Sequence, residues 1–267
     1  MTLTVDKYSR RAAIQLVLPK EHGSWSLALE PVAFGLLVAP SAAGGTLAVA
    51  ALAGFFLRRP LRLALRGRLD ARQMEPLILS LLVLATLALG GLLLSAKLGG
   101  VEKLWPLLPA AVVGLVFLWA DNRNEAREGV TEVAGAVTFG ILPAAFGALA
   151  GWSVAASLAL AAMMLVRSVP TVLTVRTCLR LAKGKDFSAT PSVVAVVAGL
   201  VLMAWLAAQH LAPWVAPVFA VVFAGRTMWL LLWRPQITIR KIGIIEAVLG
   251  LLMVLILSLT WKSSVGW

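Results

Sequence analysis

The sequence predicts an all-α protein, a polytopic transmembrane helix bundle of about nine spans, and three observations predict it. Of 267 residues, 60% are hydrophobic and only 13% are charged. A soluble domain carries roughly a quarter of its residues as charged ones, so the solvated surface that such a domain needs is missing. The apolar residues come in runs long enough to cross hydrocarbon, which takes ~18 or more with few charges. The connections between those runs alternate in chemistry, basic on one side and nearly uncharged on the other.

Taken in order, the runs are 24–40, 44–60, 76–96, 104–121, 131–149, 152–174, 190–208, 212–233 and 243–261. One integral membrane domain, 1–267, accounts for them, with residues 1–22 as a cytoplasmic N-terminal segment. The apolar stretch Ala12–Leu18 is short, follows Arg10 and Arg11, and leads into Lys20-Glu21-His22 without a small-residue cleavage site, unlike a signal peptide. Of the 24 lysines and arginines, 19 fall in the N-terminal segment and alternate connections: around 7–20, 58–72, 123–127, 176–185 and 234–241. The opposite connections hold Lys97, Lys103 and Lys262, while Arg167 and Arg226 fall inside spans. This bias predicts a cytoplasmic N-terminus and, with an odd span count, a C-terminus outside. The net charge of +12 is mostly topology, with a capacity for anionic headgroups, and is no argument for nucleic acid. A single cysteine, Cys178, excludes an internal disulfide and a cysteine metal cluster.

Charges within or beside lipid are costly unless paired or wet, so they point to function. Four clusters qualify. Glu21 and His22 enter the first span beside Trp25, with Glu30 deeper. A histidine next to a carboxylate suits proton transfer near neutral pH. The plainer reading is an interfacial helix start with Trp25 as an aromatic anchor. Asp121, Glu125, Glu128 and Glu132 follow i, i+4, i+7, i+11 beside Asn122. On a continuous helix they form one acidic stripe, able to hold Mg²⁺ through Asp121 and Glu125 together with a phosphorylated ligand. A solvated turn with Arg123 and Arg127 is the alternative.

The third cluster runs from Arg167 past Pro170 to Arg176 and Arg180. Guanidinium groups grip phosphate or carboxylate bidentately. Positive-inside anchoring explains Arg180 but not the deeper Arg167. The fourth joins Arg226 to Glu246, where a buried arginine needs a carboxylate, with Glu246 or Glu132 as partner. A structural ion pair competes there with a functional site.

The segments Pro19–Trp25, Arg123–Arg127, Thr171–Arg180 and Arg226 with Lys241–Glu246 resemble the YwiC-like membrane proteins, the His22-Gly23-Ser24-Trp25 start being the most specific part. In a weaker way the chain also resembles the UbiA prenyltransferases, through its span number, its orientation and the stretch Arg123–Gly151 with Gly135, Gly140, Pro143 and Gly147. That resemblance implies a nine-helix, UbiA-like architecture and transfer of an isoprenoid or other lipid-type group. Where the superfamily carries its first Asp-rich motif, this chain has Phe55-Phe56-Leu57-Arg58-Arg59-Pro60-Leu61-Arg62, and at the second it has Arg176, Arg180 and Asp186. Arginines replace carboxylates, so no motif residue carries over, and the anion must be held directly or by metal on the Asp121–Glu132 stripe.

Three functions follow. A UbiA-like transferase with a cytoplasmic-facing site would use Glu21, His22, Glu125 and Glu132 for proton or metal chemistry. Its lipid or isoprenoid-type substrate would meet Trp25, Arg58, Arg62, Asn122, Arg167, Arg176, Arg180, Arg226 and Glu246, with Phe55, Phe56 and Trp119 along the tail. A transporter of a small anion or metabolite would use the intramembrane Glu30, Glu132, Arg167, Arg226 and Glu246. A non-catalytic subunit would hold a quinone or a partner protein. The two histidines, His22 and His210, fall on opposite sides, which disfavours a bis-histidine haem.

Overall fold

The computed structural model describes residues 22–66, 71–122, 129–235 and 237–264, and every regular element among them is helical. In chain order these are α1 (His22–Val38), α2 (Ala42–Arg66), α3 (Ala71–Gly99), a short 3-10 turn (Val101–Leu104), α4 (Leu107–Asn122), α5 (Gly129–Gly140), α6 (Leu142–Leu149), α7 (Val154–Ala182), α8 (Thr190–Ala208), α9 (Val215–Met228), a π turn (Trp229–Trp233) and α10 (Ile239–Ser264). Among the described residues, six stretches are long and apolar enough to cross a membrane: Met74–Gly99, Thr131–Leu149, Val154–Ala182, Thr190–Ala208, Val215–Trp233 and Arg240–Trp261. Trp25–Val38 and Leu107–Ala120 are shorter apolar helices. The chain is an integral, multi-pass membrane protein.

Each of the nine expected runs overlaps a helix, although six stretches meet the length and apolarity for crossing; the run 212–233 passes from α9 into the π turn, and one other run is built differently. The run 131–149 is two helices, α5 and α6, meeting at Ile141. Pro143 stands in the first turn of α6. There its missing N–H costs nothing and its fixed φ suits a helix start. Pro170, in contrast, lies inside an uninterrupted α7.

The core is organised on α6, whose eight residues are all buried. Phe146 of α6 fills the space left by Gly35 of α1 and Gly44 of α2, where an added Cβ would meet its ring. Phe34, Leu160, Met163, Met203, Leu257 and Trp261 complete this core. Trp261 of α10 stacks on Trp152 at 5.8 Å and meets Phe34 edge-on at 6.3 Å. α10 thereby closes against α1, so the first and last described helices pack side by side. At the periphery, α3 packs on α2, where Gly91 approaches the backbone of Thr46. The outer face of α3 exposes Leu79, Leu82 and Leu93 by about 60% each. Such a face suits hydrocarbon, because lipid tails are as apolar as the side chains.

Candidate functional site: two ion-pair clusters on α7

α7 is the organising helix of the polar interior. Ser153 caps its start by accepting a hydrogen bond from the Ala156 N–H. One face then carries Arg167, Thr171, Thr174 and Thr177, all buried. The spacing of three to four residues keeps them on one side of the helix.

Deepest is a cluster from four helices. Arg167 Nη2 lies 3.3 Å from Glu30 Oε1 of α1, and Arg167 Nη1 lies 3.3 Å from Glu246 Oε2 of α10. Arg167 Nη2 also donates to the Glu246 backbone carbonyl at 2.6 Å. Arg226 of α9 places its Nε 3.0 Å from Glu246 Oε1 and donates through Nη2 to the Thr171 hydroxyl at 2.9 Å. Thr171 accepts from Arg167 Nη1 as well, so one hydroxyl links both guanidiniums. Phe223 lends its ring face to Arg167, 5.2 Å away. Gly250 makes room for the Glu30 carboxylate, which an added Cβ would strike. Arg167, Arg226 and Glu246 are all less than 10% exposed. With two glutamates and two arginines ionised the cluster is neutral, which is the condition for keeping charges in so dry a place. It is incompletely satisfied even so. Arg167 Nε, Arg226 Nε and Nη1, and Glu246 Oε1 make no hydrogen bond.

The second cluster lies two to four turns further along α7. Arg176 Nη1 donates to Glu132 Oε2 of α5 at 3.0 Å, and both side chains are partly exposed. Beside them opens a cavity of about 460 Å³ lined by Val133, Leu173, Arg176, Thr177, Arg180, Phe187, Ser188 and Pro191. Arg180 is steadied by its Nε–H, which donates to the Asp186 carbonyl at 2.8 Å. Arg234 covers the ring of Phe187 at 5.3 Å, and its own backbone is left-handed, with φ 45°. The result is an apolar recess with two guanidiniums on its wall. Such a shape accepts an amphiphile with an anionic head.

The structure thus brings Arg167, Arg226 and Glu246 into one cluster, and places Arg176 and Arg180 on one cavity wall with Glu132 paired to Arg176. Arg226 finds Glu246 rather than Glu132. Arg58 lies over the Phe117 ring, 4.5 Å from its centre. Trp25 packs with Phe55 and Phe56 at 6.1 and 5.5 Å, and Phe55 extends this aromatic group to Phe139 of α5. Arg62 lies in the last turns of α2. Glu21 and Glu125 lie outside the described residues, as do the side chains of His22, Asp121 and Asn122. The acidic stripe 121–132 is therefore described only at Glu132. Thr171, Thr174, Thr177, Thr227, Ser192 and Phe187 were not distinguished as site residues by sequence. The signal was the hydroxyl at every third position of α7.

The family model described as YwiC-like protein matches residues 18–146. The chain carries a YwiC-like segment. No curated protein and no solved structure matches the chain. The YwiC-like segment contains α1 to α5 and part of α6, and so holds Glu30 and Glu132. Arg167, Arg176, Arg226 and Glu246 lie beyond it. Both ion-pair clusters therefore join the YwiC-like segment to the remaining helices.

Proposed function

We propose that this YwiC-like membrane protein is a UbiA-like transferase acting on a lipid or isoprenoid-type substrate, at a site on the arginine-rich, cytoplasmic end of the bundle. The single observation that carries the reading is the cavity whose wall combines Arg176 and Arg180 with Val133, Leu173, Phe187 and Pro191. Guanidiniums bind a phosphate-type head, and the apolar wall receives the start of the tail. An anion arriving at Arg176 competes with Glu132, 3.0 Å away. Displaced from Arg176, the Glu132 carboxylate stands beside the ligand, able to take the proton that an acceptor hydroxyl or ring loses on attack. The donors on this wall are cationic, which fits direct capture of an anion and does not fit Mg²⁺ held by the protein there. Mg²⁺ on Asp121 and Glu125 belongs to the alternative arrangement.

The test is a titration of the nanodisc-embedded protein with farnesyl diphosphate, for wild type and Arg176→Ala, each with and without chelator. Loss of a hydrogen bond to a charged group is worth about 1.5–3 kcal/mol, so Arg176→Ala should weaken binding by roughly that amount. Chelator should change it little. Strong chelator sensitivity with an indifferent Arg176 overturns the arginine site. A second reading, a transporter of a small anion or metabolite, draws on the buried Glu30–Arg167–Glu246–Arg226 cluster, since charges within a bundle mark pathways. Uptake of the anion into proteoliposomes would favour it.

A further inference from the structure

The deep cluster has a property that a static ion pair does not need. Its two carboxylates are unequally held. Glu246 faces Arg167 and Arg226 together and has Thr171 within 3.4 Å. Among the described residues Glu30 has one cationic neighbour, Arg167, at 3.3 Å, and it uses the nitrogen that already donates to the Glu246 carbonyl at 2.6 Å. The other helices packed on α1 offer Glu30 no further charge in this cluster. α6 is apolar throughout. Glu132, the charged residue of described α5, is paired with Arg176. The cations of α2 sit in its last turns, from Arg58 onward. On the α10 side, Gly250 leaves space against the carboxylate.

Further hydroxyls line the same face of α7 toward the cavity. Thr171 bridges the two guanidiniums, and the next hydroxyls along the same face are Thr174, 3.4 Å from Thr227, and Thr177, 3.4 Å from Ser192. All four of these further hydroxyl residues are buried. Thr177 lines the cavity beside Arg176 and Arg180. Hydroxyls both donate and accept, and rotate to do either.

We propose that the Glu30–Arg167–Glu246–Arg226 cluster is a proton-binding site, with Glu30 as the group that takes the proton. A proton delivered from cavity water bonds to a Glu30 oxygen and gives a neutral carboxyl, while the water that supplied it is left one proton poorer. No other bond breaks. Arg167 stays a guanidinium, releases Glu30 and turns fully to Glu246, so the cluster gains one positive charge. This goes beyond transfer at the cavity and stands whether or not the cavity binds a diphosphate.

Infrared difference spectra of the full chain in nanodiscs, taken as pH falls from about 9 to about 5, test it. The expected result is a protonated-carboxyl stretch that grows on acidification in wild type and is absent in Glu30→Gln, which imitates the loaded state. No such band in wild type overturns the proposal, and so does a band undiminished in Glu30→Gln. Should Glu30→Gln fail to fold, Glu30→Asp decides: a displaced midpoint supports the site, and an unchanged one overturns it.

Discussion

At the scale of single residues, Arg226 and Glu246 test what the buried charges contribute. Removing one partner of a buried pair leaves an uncompensated charge and costs about 3–5 kcal/mol, whereas replacing both by apolar groups of similar size is often near neutral. Arg226→Met should therefore destabilise the protein by that amount in an SDS titration of mixed micelles. The double variant Arg226→Met/Glu246→Leu should be less destabilised than Arg226→Met alone, because it leaves Arg167 with Glu30 as a balanced pair 3.3 Å apart. Equal or greater loss in the double variant would mean that the pair itself supplies net stability. Charge in an apolar run is legible from sequence, which is why Arg167, Arg226 and Glu246 stood out without any structure. The hydroxyls did not. A threonine in a membrane helix ordinarily donates to the carbonyl four residues earlier, as Thr171, Thr174 and Thr177 do, and that local bond says nothing about what else the oxygen touches.

At the scale of elements, the apolar runs reported the helices, and they did so because lipid demands that each backbone group be satisfied within its own segment. The break at Ile141 stayed hidden for the same reason. Residues 133–149 carry no charge, and hydropathy does not register where a buried helix ends and another begins. Only Pro143 marks the place. What α6 does there is fix Phe146 between α1 and α2, and two glycines provide an internally controlled test. At Gly35 an added Cβ meets the Phe146 ring, but at Gly45 it meets nothing within 4 Å. Overpacking a filled core costs about 1–3 kcal/mol, so Gly35→Ala should lower the melting temperature clearly. Gly45→Ala in α2 should leave it unchanged or raise it, since glycine in a helix interior is worth ~0.5–1 kcal/mol less than alanine. No loss at Gly35→Ala would show that Phe146 repacks freely, and that α6 does not set the spacing of α1 and α2.

At the scale of the whole molecule, two ion-pair clusters connect the YwiC-like segment to the remaining helices, at different depths along α7. The shallower one opens into the cavity between Arg176, Arg180 and Phe187. Which side of the membrane that cavity faces decides whether its ligand comes from the cytoplasm or from outside. The distribution of lysine and arginine predicts the cytoplasm, because cytoplasmic connections retain positive charge during insertion. The loop between α7 and α8 carries Lys183 and Lys185 beside the cavity, whereas the α3–α4 connection at the other end carries Val101 on an exposed turn, 74% accessible. In a Cys178→Ala background, Val101→Cys in intact cells should react with a membrane-impermeant maleimide. Lys185→Cys should stay unlabelled until the membrane is opened. Both positions are exposed, so a lack of reaction at Lys185→Cys before permeabilisation, followed by full reaction after it, reports sidedness rather than burial. The reverse pattern would turn the bundle over. The arginine wall would then face outward, where neither a cytoplasmic isoprenoid diphosphate nor a cytoplasmic proton reaches it directly, and the transferase reading would fall with the topology.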